Sequence, residues 1–330
     1  MRAGKPRGKK GTVLVMVAAL LVALLGMTAL AVDISRLYVA RQFLINSCDA
    51  SALAGGMELP NQAKSTLKAS ECADANSMTT YQISFPENGF TEAGATKIRV
   101  DGQLDVQYCF ANILGFQSRT VSAYAVVERS GPVGWVNGRV APWGIPYYDA
   151  YGNPYDYTNG VLYTLKVGSQ SDLSDGTVGK VGGNFYPLAL ERSLGDGSSG
   201  GSVYNEDIKW GFNGQVEVGD QVATEPGNMI GPTRQAISTD DDSLTERASV
   251  EPWADDTWDN YDYGNPRVVI LPIISPLSNG RTEVEVLGFA AFWVESMQGQ
   301  EVTGYFISYT IPDAGGSGPD YGLSTFRLIE

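Results

Sequence analysis

The sequence predicts an α+β protein: a long N-terminal transmembrane and stalk helix, a small α+β unit, then a mainly antiparallel β domain. Three observations carry this. Residues Thr12–Val32 form a 21-residue run without a charge. Helical spacing then continues for more than twenty residues. From Val140 onward, short apolar runs alternate with Gly, Pro, Asn and Asp.

The apolar run is TVLVMVAALLVALLGMTALAV, and about 20 such residues suffice to span a bilayer as a helix. Its anchor positions are Thr12, Val13, Leu14, Leu20, Leu21, Leu24, Leu25, Gly26, Leu30 and Val32. Residues 1–11 hold Arg2, Lys5, Arg7, Lys9 and Lys10 and no acid, which reads as a cytoplasmic leader with the C-terminal bulk outside. A cleaved secretory signal has a shorter apolar core, roughly 7–15 residues, followed closely by small residues. Here the helix does not stop at the end of the core, so a retained anchor is the better reading. Ala19 and Ala23 form a small-xxx-small pair, as alanine-rich helices often do by chance.

Beyond Val32, the residues Ile34, Leu37, Tyr38, Arg41, Leu44, Ile45, Cys48 and Ala52 fall near i, i+3, i+4 steps, and Gly55-Gly56 and Pro60 supply stop signals. One helix of about 45 residues follows, half in lipid and half an amphipathic stalk; it occupies 12–57 as a module. Residues 58–130 read as a small α+β domain. A helix is expected within Asn61–Met78 and strands at Thr80–Phe85 and Thr120–Glu128, with a hairpin turning at Asp101-Gly102 inside Lys97–Phe110. Ser130-Gly131-Pro132 marks a break. Residues 140–330 read as a β-rich extracytoplasmic domain with strands at Val161–Val167, Asn184–Leu190, Gln215–Val222, Arg267–Ile274, Thr282–Val294 and Val302–Ile311. Phe289, Ala291 and Trp293 alternate as core. Asp172–Ser202 and Asp240–Asp262 read as largely irregular.

Composition excludes several functions. Five of the 23 basic residues and none of the 37 acidic ones lie in the first 32 positions, so the remainder carries 18 against 37. Such a surface disfavours nucleic acid, whose binding rests on neutralising phosphates. The chain has no histidine, which removes Ser-His-Asp and Cys-His catalysis and histidine metal sites. Gly197-Ser198-Ser199-Gly200-Gly201 approaches G-x-S-x-G, but it sits among loop residues with no base to take the serine proton. No Gly-rich phosphate loop ending in Gly-Lys-Ser/Thr is present.

Nine acids between Asp240 and Asp262 face Arg247 alone, but they do not fall at calcium-loop positions, so a solvated acidic loop is expected rather than a metal site. Trp253, Trp258, Tyr261 and Tyr263 interleave with them. They suit either a glycan or partner surface or a set of pins holding the loop to its domain. Paired carboxylates for glycoside hydrolysis are a matter of separation in space and rank last. No cofactor, metal or catalytic residue is expected. Of the three cysteines, Cys72 and Cys109 flank the same small region and are the candidate disulfide in an oxidising compartment; the alternative is three unpaired thiols.

The segment KKGTVLVMVAALLVALLGMTALAVDISRLYVARQFLINSCDASALAGG resembles the N-terminal module of the TadE/TadG-like proteins of tight-adherence, Flp-type pilus assembly. Gly11, the apolar run, Val32-Asp33, Arg36-Leu37-Tyr38, Arg41-Gln42, Asp49-Ala50 and Ala52-Leu53-Ala54-Gly55 carry it, over about residues 9–57. Phe110-Ala111-Asn112-Ile113-Leu114-Gly115 and the strand from Ser118 to Val127 are similar to the end of the family's small domain. Gly183-Asn184-Phe185, Thr224–Met229, Gly231-Pro232-Thr233 and Gly288–Phe292 resemble a β-rich region of some members more loosely.

The resemblance implies a non-enzymatic, membrane-anchored component of pilus assembly or a related envelope structure. Its partners would be the lipid bilayer and other pilus-assembly or pilin-like membrane proteins. Two departures narrow it. Met16 stands where pilin-like substrates of prepilin peptidase carry Glu, five residues after Gly11, so the helix reads as a permanent anchor. Asp33-Ile34-Ser35-Arg36-Leu37 breaks the D-x-S-x-S metal pattern of members with a von Willebrand-type domain. An anchored glycan-binding or adhesion module is the alternative, and a carboxylate hydrolase the least favoured.

Overall fold

The computed structural model describes residues 10–86, 96–147, 160–166, 180–181, 186–225, 227, 229–276, 283–312 and 314–329. Residues 1–9 of the basic leader, Gly183-Asn184-Phe185, Pro226, Asn228, Thr282 and most of 167–185 lie outside that set. The chain divides into two compact units: residues 1–128 with 328–330, and residues 129–327.

Unit 1 is built on α1 (Lys10–Gly56), 47 residues without a proline. From Val13 to Val32 its large apolar side chains are exposed. The buried face begins further on, with Leu44, Ser47, Cys48, Ser51 and Ala52 at successive steps of three and four. The expected stalk face is thus corrected in its lower half. Ile34, Tyr38 and Arg41 are exposed, because little chain packs on that side of the helix before Leu44.

Helix α2 (Gln62–Ala75) follows a tight turn, with the Asn61 side chain accepting from the Lys64 backbone N–H at 3.1 Å. Such a cap is worth about 1 kcal/mol. Gly55 lets α2 approach closely: Ser65 Oγ donates to the Gly55 carbonyl at 2.6 Å, and a side chain at Gly55 would meet Ile98 at 2.4 Å and the Ser65 carbonyl at 2.8 Å.

Strands β1 (Thr80–Ser84), β2 (Lys97–Gln107) and β3 (Ser118–Pro132) pair antiparallel in that order. Ile98, Val100, Gly102 and Val106 of β2 are buried in strict alternation. The hairpin expected at Asp101-Gly102 does not form; β2 runs straight through. Gly102 serves close approach instead, since a Cβ there would lie 2.6–2.9 Å from Met78, Cys48 and Leu44. The turn lies at 108–117, and β3 runs on to Pro132, with the two compact units dividing inside it between residues 128 and 129.

Unit 2 contains β4 (Trp135–Asn137), β5 (Trp143–Pro146), β6 (Leu162–Lys166), β7 (Lys180–Val181), β8 (Tyr186–Pro187), β9 (Gln215–Glu217), β10 (Gln221–Ala223), β11 (Val268–Ile274), β12 (Glu283–Gln298), β13 (Glu301–Ile307), β14 (Tyr309–Ile311), β15 (Ala314–Gly315) and all but the last two residues of β16 (Leu323–Ile329). Its main sheet has the order β7-β6-β13-β12-β11-β5-β8, with β10 also on β12. It is mainly antiparallel; among the described residues its parallel pairs are β11–β5 and β6–β7. Every residue of β11 is buried, as is every residue of Phe289–Val294 on β12, so both faces are covered and the strands read as continuous apolar runs. Phe289, Ala291 and Trp293 lie on one face with Val136, Phe212 and Val222; Ala290, Phe292 and Val294 lie on the other with Tyr204, Ile208 and Ile237.

Several strand expectations are corrected here. Among the described residues of the expected strand Asn184–Leu190, two form β8, and Leu190 opens α3 (Leu190–Leu194). Gln215–Val222 divides into β9 and β10 because Asp220 Oδ2 accepts from the Glu217 N–H and closes a turn. Val302–Ile311 divides at Ser308 into β13 and β14. Helices α4 (Gly201–Trp210), α5 (Ile230–Arg234), with a π turn at Gln235–Thr239, and α6 (Leu244–Arg247) arise where no helix was expected.

Candidate functional site: a carboxylate clasp below the apolar helix

Asp33 is the first charged residue after the apolar run, and only 3% of it is exposed. An ionised carboxylate so placed needs donors. They come from the turn between β2 and β3. The backbone N–H of Cys109 donates to Oδ1 at 2.8 Å, that of Ala111 to Oδ2 at 2.8 Å, and that of Phe110 to both oxygens, at 3.3 and 3.1 Å. Residues Ala111–Leu114 form a single 3₁₀ turn closed by Gly115 in the left-handed region (φ 93°), so Asp33 caps that turn from 76 to 78 positions away. Burial opposes the charge, but the three N–H groups and nearby Arg36 hold the carboxyl below the ordinary aspartate value of 3.8.

Val32-Asp33 and Phe110–Gly115, quoted above as two separate features, are therefore one construction. A groove of about 880 Å³ opens alongside it, between Ala31–Phe43 on α1 and Leu104–Gln107 on β2. Sequence reasoning quoted Phe110 and Ile113 only for their resemblance and passed over Phe116; all three are exposed on the turn. A signal was available: Tyr108–Ser118 contains no charge yet connects two strands, where polar residues are the rule.

The candidate disulfide is not made. Cys72 sits on α2, where Asn76 Nδ2 contacts its sulfur at 3.5 Å; Cys109 is exposed and takes a contact from Arg36; Cys48 is fully buried. All three are free thiols, because the two cysteines lie on elements packed elsewhere. Burial, with Asp49 and Asp101 close by, pushes the Cys48 thiol up to about 11.

The other candidates lie in unit 2 and do not converge on chemistry. Gly197–Gly201 links two helices, and the Ser198 N–H donates to Asp196 Oδ1 at 2.8 Å; no strand precedes it as a nucleophile elbow requires. The acidic stretch is largely committed to internal bonds. Asp240 and Asp242 hold buried Lys209 at 2.7 and 2.6 Å, and Asp256 accepts from Asn265 and the Asp262 N–H. Trp258 stacks on Tyr305 with ring centres 4.6 Å apart, Tyr263 stacks on Tyr309 at 5.6 Å, and Tyr261 lies between Trp293 and Tyr309. Of the two readings, these three aromatics follow the pins. Among the described residues no three His, Cys, Asp or Glu side chains are grouped to hold a metal ion.

What the geometry defines is a small packed unit built directly on a helix long and apolar enough to cross a membrane, with the turn between β2 and β3 held to that helix by one carboxylate. Residues 11–58 match the family model described as putative Flp pilus-assembly TadE/G-like, as their pattern predicted, and that match points to a component of pilus assembly. No curated protein and no solved structure matches the chain.

Proposed function

We propose that the protein is a non-enzymatic component of Tad/Flp-type pilus assembly or a related envelope structure, anchored by Thr12–Val32, with residues 1–11 cytoplasmic and the bulk extracytoplasmic. The observation that carries this reading is the family match over 11–58, which takes in both the apolar run and Asp33. Exposure of the large apolar side chains from Val13 to Val32 supports lipid contact. The basic leader supports the orientation. We assign 12–57 to the anchor and stalk, 58–130 to the small domain and 140–330 to the β-rich domain. The partners are the bilayer and other pilus-assembly or pilin-like membrane proteins, with no nucleic acid.

In the source cell, deletion of the gene should abolish surface pili, and the intact chain should restore them. A protease added to whole cells, or to spheroplasts where an outer membrane intervenes, should cut residues 140–330 and spare a tag placed before Arg2. A C-terminal tag found in the cytoplasm would sink the orientation. Normal piliation in the deletion strain would sink the function.

A further inference from the structure

We infer that the turn between β2 and β3 is a second membrane contact, seating Phe110, Ile113 and Phe116 in the headgroup–acyl boundary beside Asp33, where the apolar run of α1 ends. This rests on the reading of Thr12–Val32 as a bilayer span. The direction of the chain fixes the depth. Ile98 packs on Gly55, Gly102 on Leu44 and Cys48, and the Cys109–Ala111 backbone on Asp33, so β2 runs antiparallel to α1 toward its apolar half. At about 3.3 Å per strand residue and 1.5 Å per helix residue, the four residues from Ile98 to Gly102 and the seven to eleven from Gly55 back to Cys48 and Leu44 cover similar distances. The turn after Ala111 therefore lies at the end of the span, within the roughly 5–8 Å that headgroups occupy on each side of the hydrocarbon.

The chemistry of the turn suits that depth. Tyr108–Ser118 is uncharged, and Ile113 is 83% and Phe116 64% exposed. Its backbone is prepared for scarce water: Asp33 takes three N–H groups, Tyr108 donates to Gln117, Ile113 to Phe110, Gly115 to Asn112 and Phe116 to Ala111. Exposed Arg36 and Arg119 lie on the elements that flank it, and their charge suits lipid phosphates. Three side chains on a convex turn fall well short of the ~800 Å² that a stable protein contact buries on each partner. A bilayer needs no such area, because it already receives the neighbouring helix.

The test uses the full chain carrying Cys72→Ser and Cys109→Ser, reconstituted in phosphatidylcholine–phosphatidylglycerol vesicles, with a spin label at one further cysteine. The sites are Ile113→Cys on the turn, Leu20→Cys in the apolar run and Gln103→Cys on exposed β2. Collisions with oxygen report lipid, and those with a water-soluble nickel chelate report water. The expected result is a label at 113 that favours oxygen, less strongly than at 20, while the label at 103 favours the chelate. A label at 113 that matches 103 while 20 favours oxygen overturns the inference and leaves the anchor standing. Low collision with both reagents at 113 means protein covers the turn, and also overturns it. A label at 20 that favours the chelate removes the anchor reading, and the inference with it.

Discussion

Residues 12–32 and 33–56 belong to one unbroken helix, yet the first part exposes its large apolar side chains while the second buries a narrow face rich in small and polar residues. Leu20 is 64% exposed and Leu44 1%. Exposed apolar residues in the first part suit lipid on all sides; Ser47, Ser51 and Gly55 in the second suit a neighbouring chain that must come close. Asp33 marks the border between the exposed apolar part and the packed part. The difference teaches that the amphipathic signal of the stalk is weak because its contact face is made small rather than apolar.

The sharpest way to break this comparison is to make one change on both sides of the border. Leu44→Ala should cost unit 1 about 2–5 kcal/mol, the usual loss for a buried leucine. Leu20→Ala should move its stability by less than about 0.5 kcal/mol. Urea titration in detergent, followed by proteolysis of α2, would read both, and equal losses would refute the division. Gly55→Val should cost about 1–3 kcal/mol through overpacking against Ile98 and Ser65, whereas Gly26→Val, with open space around it, should cost unit 1 nothing measurable.

The border residue gives the next effect. Asp33→Ala should remove amide-exchange protection at Cys109, Phe110 and Ala111 while leaving Val100 protected. Because the folded pKa lies below the unfolded one, this stabilisation is complete above the unfolded value near 3.8 and is lost as pH falls through the folded value. Protection at Ala111 that survives Asp33→Ala would mean the clasp is not what holds the turn.

Asp207 on α4 offers the opposite case. Burial, reinforced by Glu191, Asp196 and Glu206, pushes its carboxyl up to about 7. The folded state then keeps a proton that the unfolded chain releases, so the stability of unit 2 should fall as pH rises from about 4 to 7. Asp207→Asn should flatten that slope, and an unchanged pH profile would show that another group causes it. The smallest expected effect is in the thiols. Cys109 should react with iodoacetamide in the native protein, Cys48 only after unfolding, and non-reducing mass analysis should find no Cys72–Cys109 bond.

Much of unit 1 was legible. The length of α1, the presence of α2, and β1 and β3 follow from local chemistry that reaches only a few residues. The turn misplaced at Asp101-Gly102 shows the limit. Asp-Gly is a sound turn signal, and nothing nearby reveals that this glycine faces Leu44, Cys48 and Met78. Unit 2 was legible where strands are continuously apolar, as in β11 and β12. It was obscure in α4 and α5, where glycine-rich flanks masked helices held by burial of Tyr204, Ile208 and Thr233.

By itself, then, the sequence determined the apolar length of the helix, the place where its charge-free run ends, and the family pattern carried over residues 11–58. These are properties of consecutive residues, read from composition and a period of 3.6. Only the tertiary structure decided what Asp33 is for. Its partners are backbone N–H groups, which have no letter in a sequence, and they arrive from more than seventy residues away once β2 has packed along α1.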